Sequence, residues 1–164
     1  NNNIVLPTEI GNSLLSMPKL FKELNLSNPE DFIVIEDLLS GGGLKKIYKC
    51  ISSDEQSPEE IVASYAKNEF SQKSVQIFLT SFSQILSELA LAFMPGSGIY
   101  IAGGLMRSLH QFLDTDRFMK EFLVNRKSMH ADVLEQIPLA IINQEMTCLH
   151  GSLNFINKFS LNLK

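Results

Sequence analysis

Two acidic residues and one pair of glycines stand where a polyhydroxylated ligand and a nucleotide could be held. Glu9 lies in the polar turn Thr8-Glu9-Ile10-Gly11-Asn12, and Glu36 follows the apolar run Phe32-Ile33-Val34-Ile35. An ionised carboxylate accepts two or more hydrogen bonds, which suits a sugar presenting its hydroxyl donors in a row. The alternative for Glu36 is a cap on the next helix, where negative charge meets the positive end of the dipole. For Glu9 the alternative is a solvated surface acid. Gly103-Gly104 follows the short apolar run Ile99-Tyr100-Ile101-Ala102. With no Cβ in the way, the pair lets backbone approach a nucleotide closely. On its own the pair fits better a tight strand-to-helix turn that binds nothing.

Other chemistries find little material. His110, His130 and His150 are far apart and show no ligand spacing, so they read as structural or surface residues. Cys50 and Cys148 cannot build a disulfide framework or a cysteine zinc site, and they point to a reducing, cytoplasmic setting. Cys148 falls at an expected helix start, where a thiol pKa can drop. No histidine sits in a nucleophile pattern with it, so it reads as a small buried residue. Eighteen acidic against fourteen basic residues give a net charge of -4 and no basic face for nucleic acid. No apolar run approaches the roughly 20 residues that span a bilayer, and Asn1-Asn2-Asn3 is unlike a signal peptide. The chain has no initiator Met, which points to an excised fragment.

These residues need a scaffold, and 164 residues with 45% hydrophobic content suffice for the core of one domain. Ile4 to Leu6 reads as a strand ending at Pro7. A short helix is expected from Met17-Pro18, with Leu20, Phe21 and Leu24 as its buried stripe. Phe32 to Ile35 reads as a buried strand, and a helix should follow Ser40-Gly41-Gly42-Gly43 to about Ile51. Ser57-Pro58-Glu59-Glu60 carries a capping box with proline in the first helical position, and predicts a helix to about Phe70. From Val75 to Phe93 apolar residues recur at helical spacing and end before Pro95-Gly96. That helix spans about 30 Å at 1.5 Å per residue, the width of a small domain. Ile99 to Ala102 is a strand, helices start near Leu105 and near Thr115-Asp116, Ile137 to Ile142 is a last strand, and Thr147 caps a final helix. Strands alternating with helices predict an α/β layered domain, with ligands at the turns that follow strands.

Four segments in order carry a resemblance: Leu6-Pro7-Thr8-Glu9-Ile10-Gly11-Asn12, Leu39-Ser40-Gly41-Gly42-Gly43-Leu44, Ile99-Tyr100-Ile101-Ala102-Gly103-Gly104-Leu105 and Cys148-Leu149-His150-Gly151-Ser152. Over nearly its whole length the chain resembles the C-terminal part of bacterial glucokinases. That family shows a Pro-x-Glu-Gly-Gly-His turn, a Leu-Ser-Gly-Pro-Gly-Leu helix start, an Ile-Ala-Gly-Gly adenosine motif and a Leu-Leu-Gly-Ser-Gly near its end. The resemblance implies a helix-rich α/β piece of an actin-like ATPase (ribonuclease H-like) fold with a small sheet. Residues 1–143 would be its large-domain portion, and residues 144–164 a helix that packs on an N-terminal small domain. It implies transfer of the γ-phosphoryl group of ATP to glucose with Mg²⁺, by positioning and charge stabilisation. Glu9, Asn12 and Glu36 would hold the sugar; Gly103, Gly104 and Gly151 would face the nucleotide; a homodimer is compatible.

Several positions depart from the family. Asn12 replaces the turn histidine, Ile10 the second glycine, Gly42 the proline and Leu153 the last glycine of the C-terminal motif. No segment matches the phosphate loops or the catalytic aspartate, so the chain alone is expected to be inactive, and the apolar side of its last helix to lie exposed or paired with another copy. A cysteine-rich zinc motif, found in related repressors, is absent. A non-catalytic sugar-sensing or scaffolding homologue is the alternative.

Overall fold

The computed structural model describes residues 7–15, 21–22 and 29–160. Helix α1 (Ile35–Leu38) leads into α2 (Gly41–Ser52), α3 (Pro58–Ser64) and α4 (Glu69–Phe93). Strand β1 (Ile99–Ile101) follows, then α5 (Gly104–Leu109), α6 (Thr115–Phe122), α7 (Ser128–Glu135), strand β2 (Leu139–Ile141) and α8 (Thr147–Ser160). Single 3-10 turns lie at Ile10–Asn12, Pro29–Asp31 and His110–Phe112.

Helix α4 is the spine. Asn68 caps it by accepting hydrogen bonds from the Phe70 and Ser71 amides, and Met94 ends it in the left-handed conformation just before Pro95-Gly96. One core gathers Leu44, Ile47, Tyr48 and Ile61 of α2 and α3 around Val75 and Phe78 of α4. A second gathers Phe118, Phe122 and Leu134 of α6 and α7 around Leu86 and Ala90. A run of buried serines accompanies these apolar contacts, and each hydroxyl has a hydrogen-bond partner: Ser81 donates to the Ile77 carbonyl (2.8 Å), Ser83 to that of Phe118 (2.6 Å), and Ser87 accepts from Arg126 Nε (3.1 Å). A buried hydroxyl left unmatched would cost about 1–3 kcal/mol; among the described residues none is.

By length and composition α4 could cross a membrane, against the expectation that no segment could. Its serines interrupt any continuous apolar run, yet its most apolar 18-residue window passes, and 67% of that window is buried inside the fold.

The sheet among the described residues is small. β1 and β2 pair in parallel, with Ile99 opposite Leu139, Tyr100 opposite Ala140 and Ile101 opposite Ile141. The crossover between them carries α5, α6 and α7.

Several expected elements change. Ile4 to Leu6 and most of the helix expected from Met17-Pro18 lie outside the described residues. Phe32 to Ile35 is not a buried strand: Val34 makes one isolated antiparallel bridge to Leu14, Ile33 is exposed, and Ile35 already starts α1. The Asp37 carboxylate explains the break. It accepts from the Ile33 (3.2 Å) and Val34 (3.1 Å) amides, which turns the chain into a helix before a ladder can grow. The capping box at Ser57 and Glu60 forms, with Pro58 first in α3, but α3 stops at Ser64 rather than near Phe70. Asn68 there claims the amides of the next helix. Helix α7 has no counterpart in the sequence pattern. Thr147 is itself the first residue of α8, and its hydroxyl donates to the Gln144 carbonyl (2.8 Å) instead of capping amides.

Candidate functional site

The first turn brings its residues to Glu36. Backbone bonds from Leu15 N to Ile33 O (2.8 Å) and from Ile35 N to Ser13 O (3.1 Å) hold the two segments side by side. The Ile10–Asn12 turn, closed by Asn12 N on Glu9 O (3.0 Å), then sits against α1. A Cβ on Gly11 would stand 3.6 Å from the Glu36 Cβ and 3.8 Å from its Oε2. Glu36 is exposed, and among the described residues its carboxylate makes no hydrogen bond or ion pair. It is free to accept from a ligand.

Asp37, beside it, is engaged. Besides the two amides it takes the Lys46 ammonium on Oδ1 (2.6 Å), and Lys46 Nζ also donates to the Asp31 carbonyl (3.1 Å). The hydrogen bond from Lys46, with those from the two amides, holds the Asp37 carboxyl below its ordinary range. Ser40 caps α2 by accepting from the Gly43 amide (3.0 Å). Together these groups line a cleft of about 380 Å³ that takes in Asn12, Glu36, Asp37, Ser40, Gly42 and Lys46.

A larger open cleft, about 780 Å³, lies on the other side of the same helix start. Gly41, Pro58, Val62, Gly104, Leu105, Arg107 and Asn143 line it. Gly103 enters α5 with φ +138, a conformation that disfavours any Cβ, and neither it nor Gly104 has protein crowding its Cβ position. The first turn of α2 thus separates the two clefts: Gly41 faces the larger, Ser40 and Gly42 the smaller. The first-turn amides of a helix favour negative charge nearby, and of those in α2 the Gly43 amide is already taken by Ser40.

Of the residues singled out in the sequence, Asn12 and Glu36 share one cleft and Gly104 lines the other. Glu9 is exposed at the start of its turn and outside the lining of the smaller cleft. Gly151 lies exposed within α8 with open space around it. The rule that ligands sit beyond strand ends applies here to Gly103-Gly104 after β1. Glu36 is instead the second residue of a short helix, and the strand expected before Glu9 lies outside the described residues. The role of Asp37, Lys46 and Arg107 in lining the clefts went unread in the sequence. A Lys nine residues after an Asp, across a helix start, is a signal only once the turn between them is known. His110, His130 and His150 are exposed, as expected, and no three metal-ligating side chains cluster among the described residues.

Comparison with known proteins identifies relatives of one kind. A family model described as Glucokinase matches residues 2–158. A glucokinase-like protein of Xylella fastidiosa (strain Temecula1) is 27% identical over 164 residues, covering 93% of this chain and 47% of the relative. A glucokinase of Colwellia psychrerythraea is 28% identical over 153 residues, covering 85% of this chain and 45% of the relative. The chain spans about half the length of these curated relatives. A crystal structure of glucokinase from an Antarctic psychrotroph superposes with a TM-score of 0.73 at 22% identity, covering 87% of this chain and 47% of that one. It shows a shared, helix-rich α/β fold.

Proposed function

The chain belongs to the glucokinase family, and from that premise we propose that it supplies the C-terminal portion of an ATP-dependent glucokinase with the actin-like ATPase fold. In this reading residues 1–143 form the large-domain portion, and residues 144–164 pack on a small domain contributed by other sequence. The setting is cytoplasmic. The observation that supports it most is the adjacency of the two clefts across the first turn of α2.

Glucose occupies the smaller cleft. Glu36, uncommitted to any described neighbour, accepts hydrogen bonds from sugar hydroxyls, and Asn12 both donates and accepts beside it. Glu9, outside the lining of that cleft, is assigned to the sugar on the family reading alone. The nucleotide lies in the larger cleft, where Gly104 lines the wall and neither it nor the preceding Gly103 puts a Cβ in the way of adenine and ribose. Gly151 is assigned to the nucleotide side on the same family reading. The α2 amides sit between the two ligands and favour the negative charge of a phosphoryl group passing from one to the other. Bound Mg²⁺ would supply neutralisation of that charge. The group that takes the proton from the sugar hydroxyl comes from outside this chain.

A coupled assay on the full-length protein, with several sugars and phosphoryl donors, tests the reading. Replacing Glu36 by Gln should cut kcat/KM for glucose about 10–100-fold, the worth of a charge-assisted hydrogen bond. Unchanged kinetics would remove Glu36 from the site. Asn12, in place of a chargeable histidine, favours one second reading, a sugar sensor that binds but does not phosphorylate. Glucose binding without turnover in the same experiment would select it.

A further inference from the structure

We infer that Lys46 is a positioning residue for sugar binding, acting through Asp37 on the segment that aims Glu36 into the cleft. The inference rests on the reading of Glu36 as a sugar ligand. Because the Glu36 carboxylate has no described partner, only the backbone of residues 31–37 fixes where it points. That backbone carries little regular structure, one isolated bridge from Leu14 to Val34 and a four-residue helix, between the buried anchors Phe32 and Leu38. Lys46 holds it at both ends. Its ammonium donates to the Asp31 carbonyl (3.1 Å) at the start of the segment and to Asp37 Oδ1 (2.6 Å) at its end. Asp37 Oδ2 meanwhile receives the Ile33 and Val34 amides between those points (3.2 and 3.1 Å).

Lys46 itself stands on α2, the helix whose start lies between the two clefts, so the brace ties the Glu36 segment to the most firmly packed element nearby. It also balances charge. Glu36 and Asp37 are adjacent carboxylates, and without the ammonium Asp37 would press its negative charge on the sugar-binding group. An ordinary surface ion pair contributes little to stability. This pair differs because one cation engages two separate points of the segment that carries Glu36.

The test compares variants of the full-length protein by calorimetric titration with glucose and, separately, with a non-hydrolysable ATP analogue. Lys46→Met should weaken glucose binding about tenfold, equivalent to one lost charge-assisted bond, and leave the nucleotide affinity within about twofold. Lys46→Arg, which keeps the charge and the reach, should restore most of the loss. Lys49→Met, a control on the same helix that pairs with Glu55, should change neither affinity. Asp37→Asn, which cannot attract the ammonium as strongly, should follow Lys46→Met and serves if that variant does not fold. Glucose affinity unchanged in Lys46→Met, or equal losses for both ligands that Lys46→Arg does not repair, would overturn the positioning role. Loss of the positioning effect while Glu36→Gln still weakens glucose would leave the site reading standing. An unaffected Glu36→Gln would instead remove the site reading itself.

Discussion

A Cβ placed on Gly43 would stand inside 3.0 Å of the Leu38 carbonyl and 2.8 Å from the Asp37 carbonyl oxygen. This contact sets α1 against the first turn of α2, and with it the cleft that holds Glu36. Real Cβ atoms do not come that close to backbone, and neither carbonyl is the end of a flexible side chain. Gly43→Ala should therefore destabilise the fold by about 1–3 kcal/mol, the cost of overpacking a closed contact. Gly42, one residue earlier, has only the Ser40 hydroxyl at 3.5 Å, and Gly42→Ala should be neutral or gain about 0.5–1 kcal/mol of helix propensity. Urea titration of the two variants checks the contrast. Equal stability would mean that α1 and α2 do not pack this tightly.

The capping box of α3 gives a second expectation. Ser57 Oγ accepts from the Glu60 amide (3.3 Å), and Glu60 Oε2 accepts from the Ser57 amide (2.7 Å). Ser57→Ala removes one of these bonds and should cost about 1 kcal/mol at neutral pH. Chemical denaturation at pH 7 measures it.

Glu55 supplies a pH signature. It bridges Lys45 (3.0 Å) and Lys49 (2.7 Å), and the hydrogen bond from Lys49, then that from Lys45, holds its carboxyl down at about 2. A carboxylate whose folded pKa lies below its unfolded value stabilises the fold above the ordinary value of 4.5 and loses that contribution as pH falls towards 2. Titration of the Glu55 side chain by NMR should show a midpoint near 2, moving up towards 4.5 in Lys49→Met. An ordinary midpoint in the parent protein would show that the bridges do not persist in solution.

Much of the architecture could be read from side-chain spacing. The α4 stripe from Val75 to Phe93, the Ser57 capping box and the strand before Gly103-Gly104 all rest on local periodicity or local turn chemistry, and all three form. Failures came where a polar side chain a few residues away captures backbone amides, or where the apolar period is faint. Phe32 to Ile35 has the composition of a strand, but Asp37 draws its amides into a helix start. The helix from Pro58 ends early because Asn68, a residue with no apolar signal, caps the next one. Helix α7, Ser128–Glu135, buries only Leu134 fully and so leaves little apolar period to detect. At the clefts, residue types pointed to Glu36 and Gly104 and the family resemblance to Asn12, whereas Glu9, Gly103 and Gly151 lie outside both linings. The Lys46 brace was hidden because it depends on a turn that brings residues 31, 37 and 46 together.

Amide chemical-shift mapping of the full-length protein, titrated first with glucose and then with a non-hydrolysable ATP analogue, addresses the two-cleft arrangement most directly. Glucose should shift Asn12, Glu36 and Gly42, and the nucleotide Gly104, Leu105 and Arg107, with the α2 start at Gly41 responding to both. Glucose shifts confined to other surfaces, or absent while the nucleotide still binds, would contradict it.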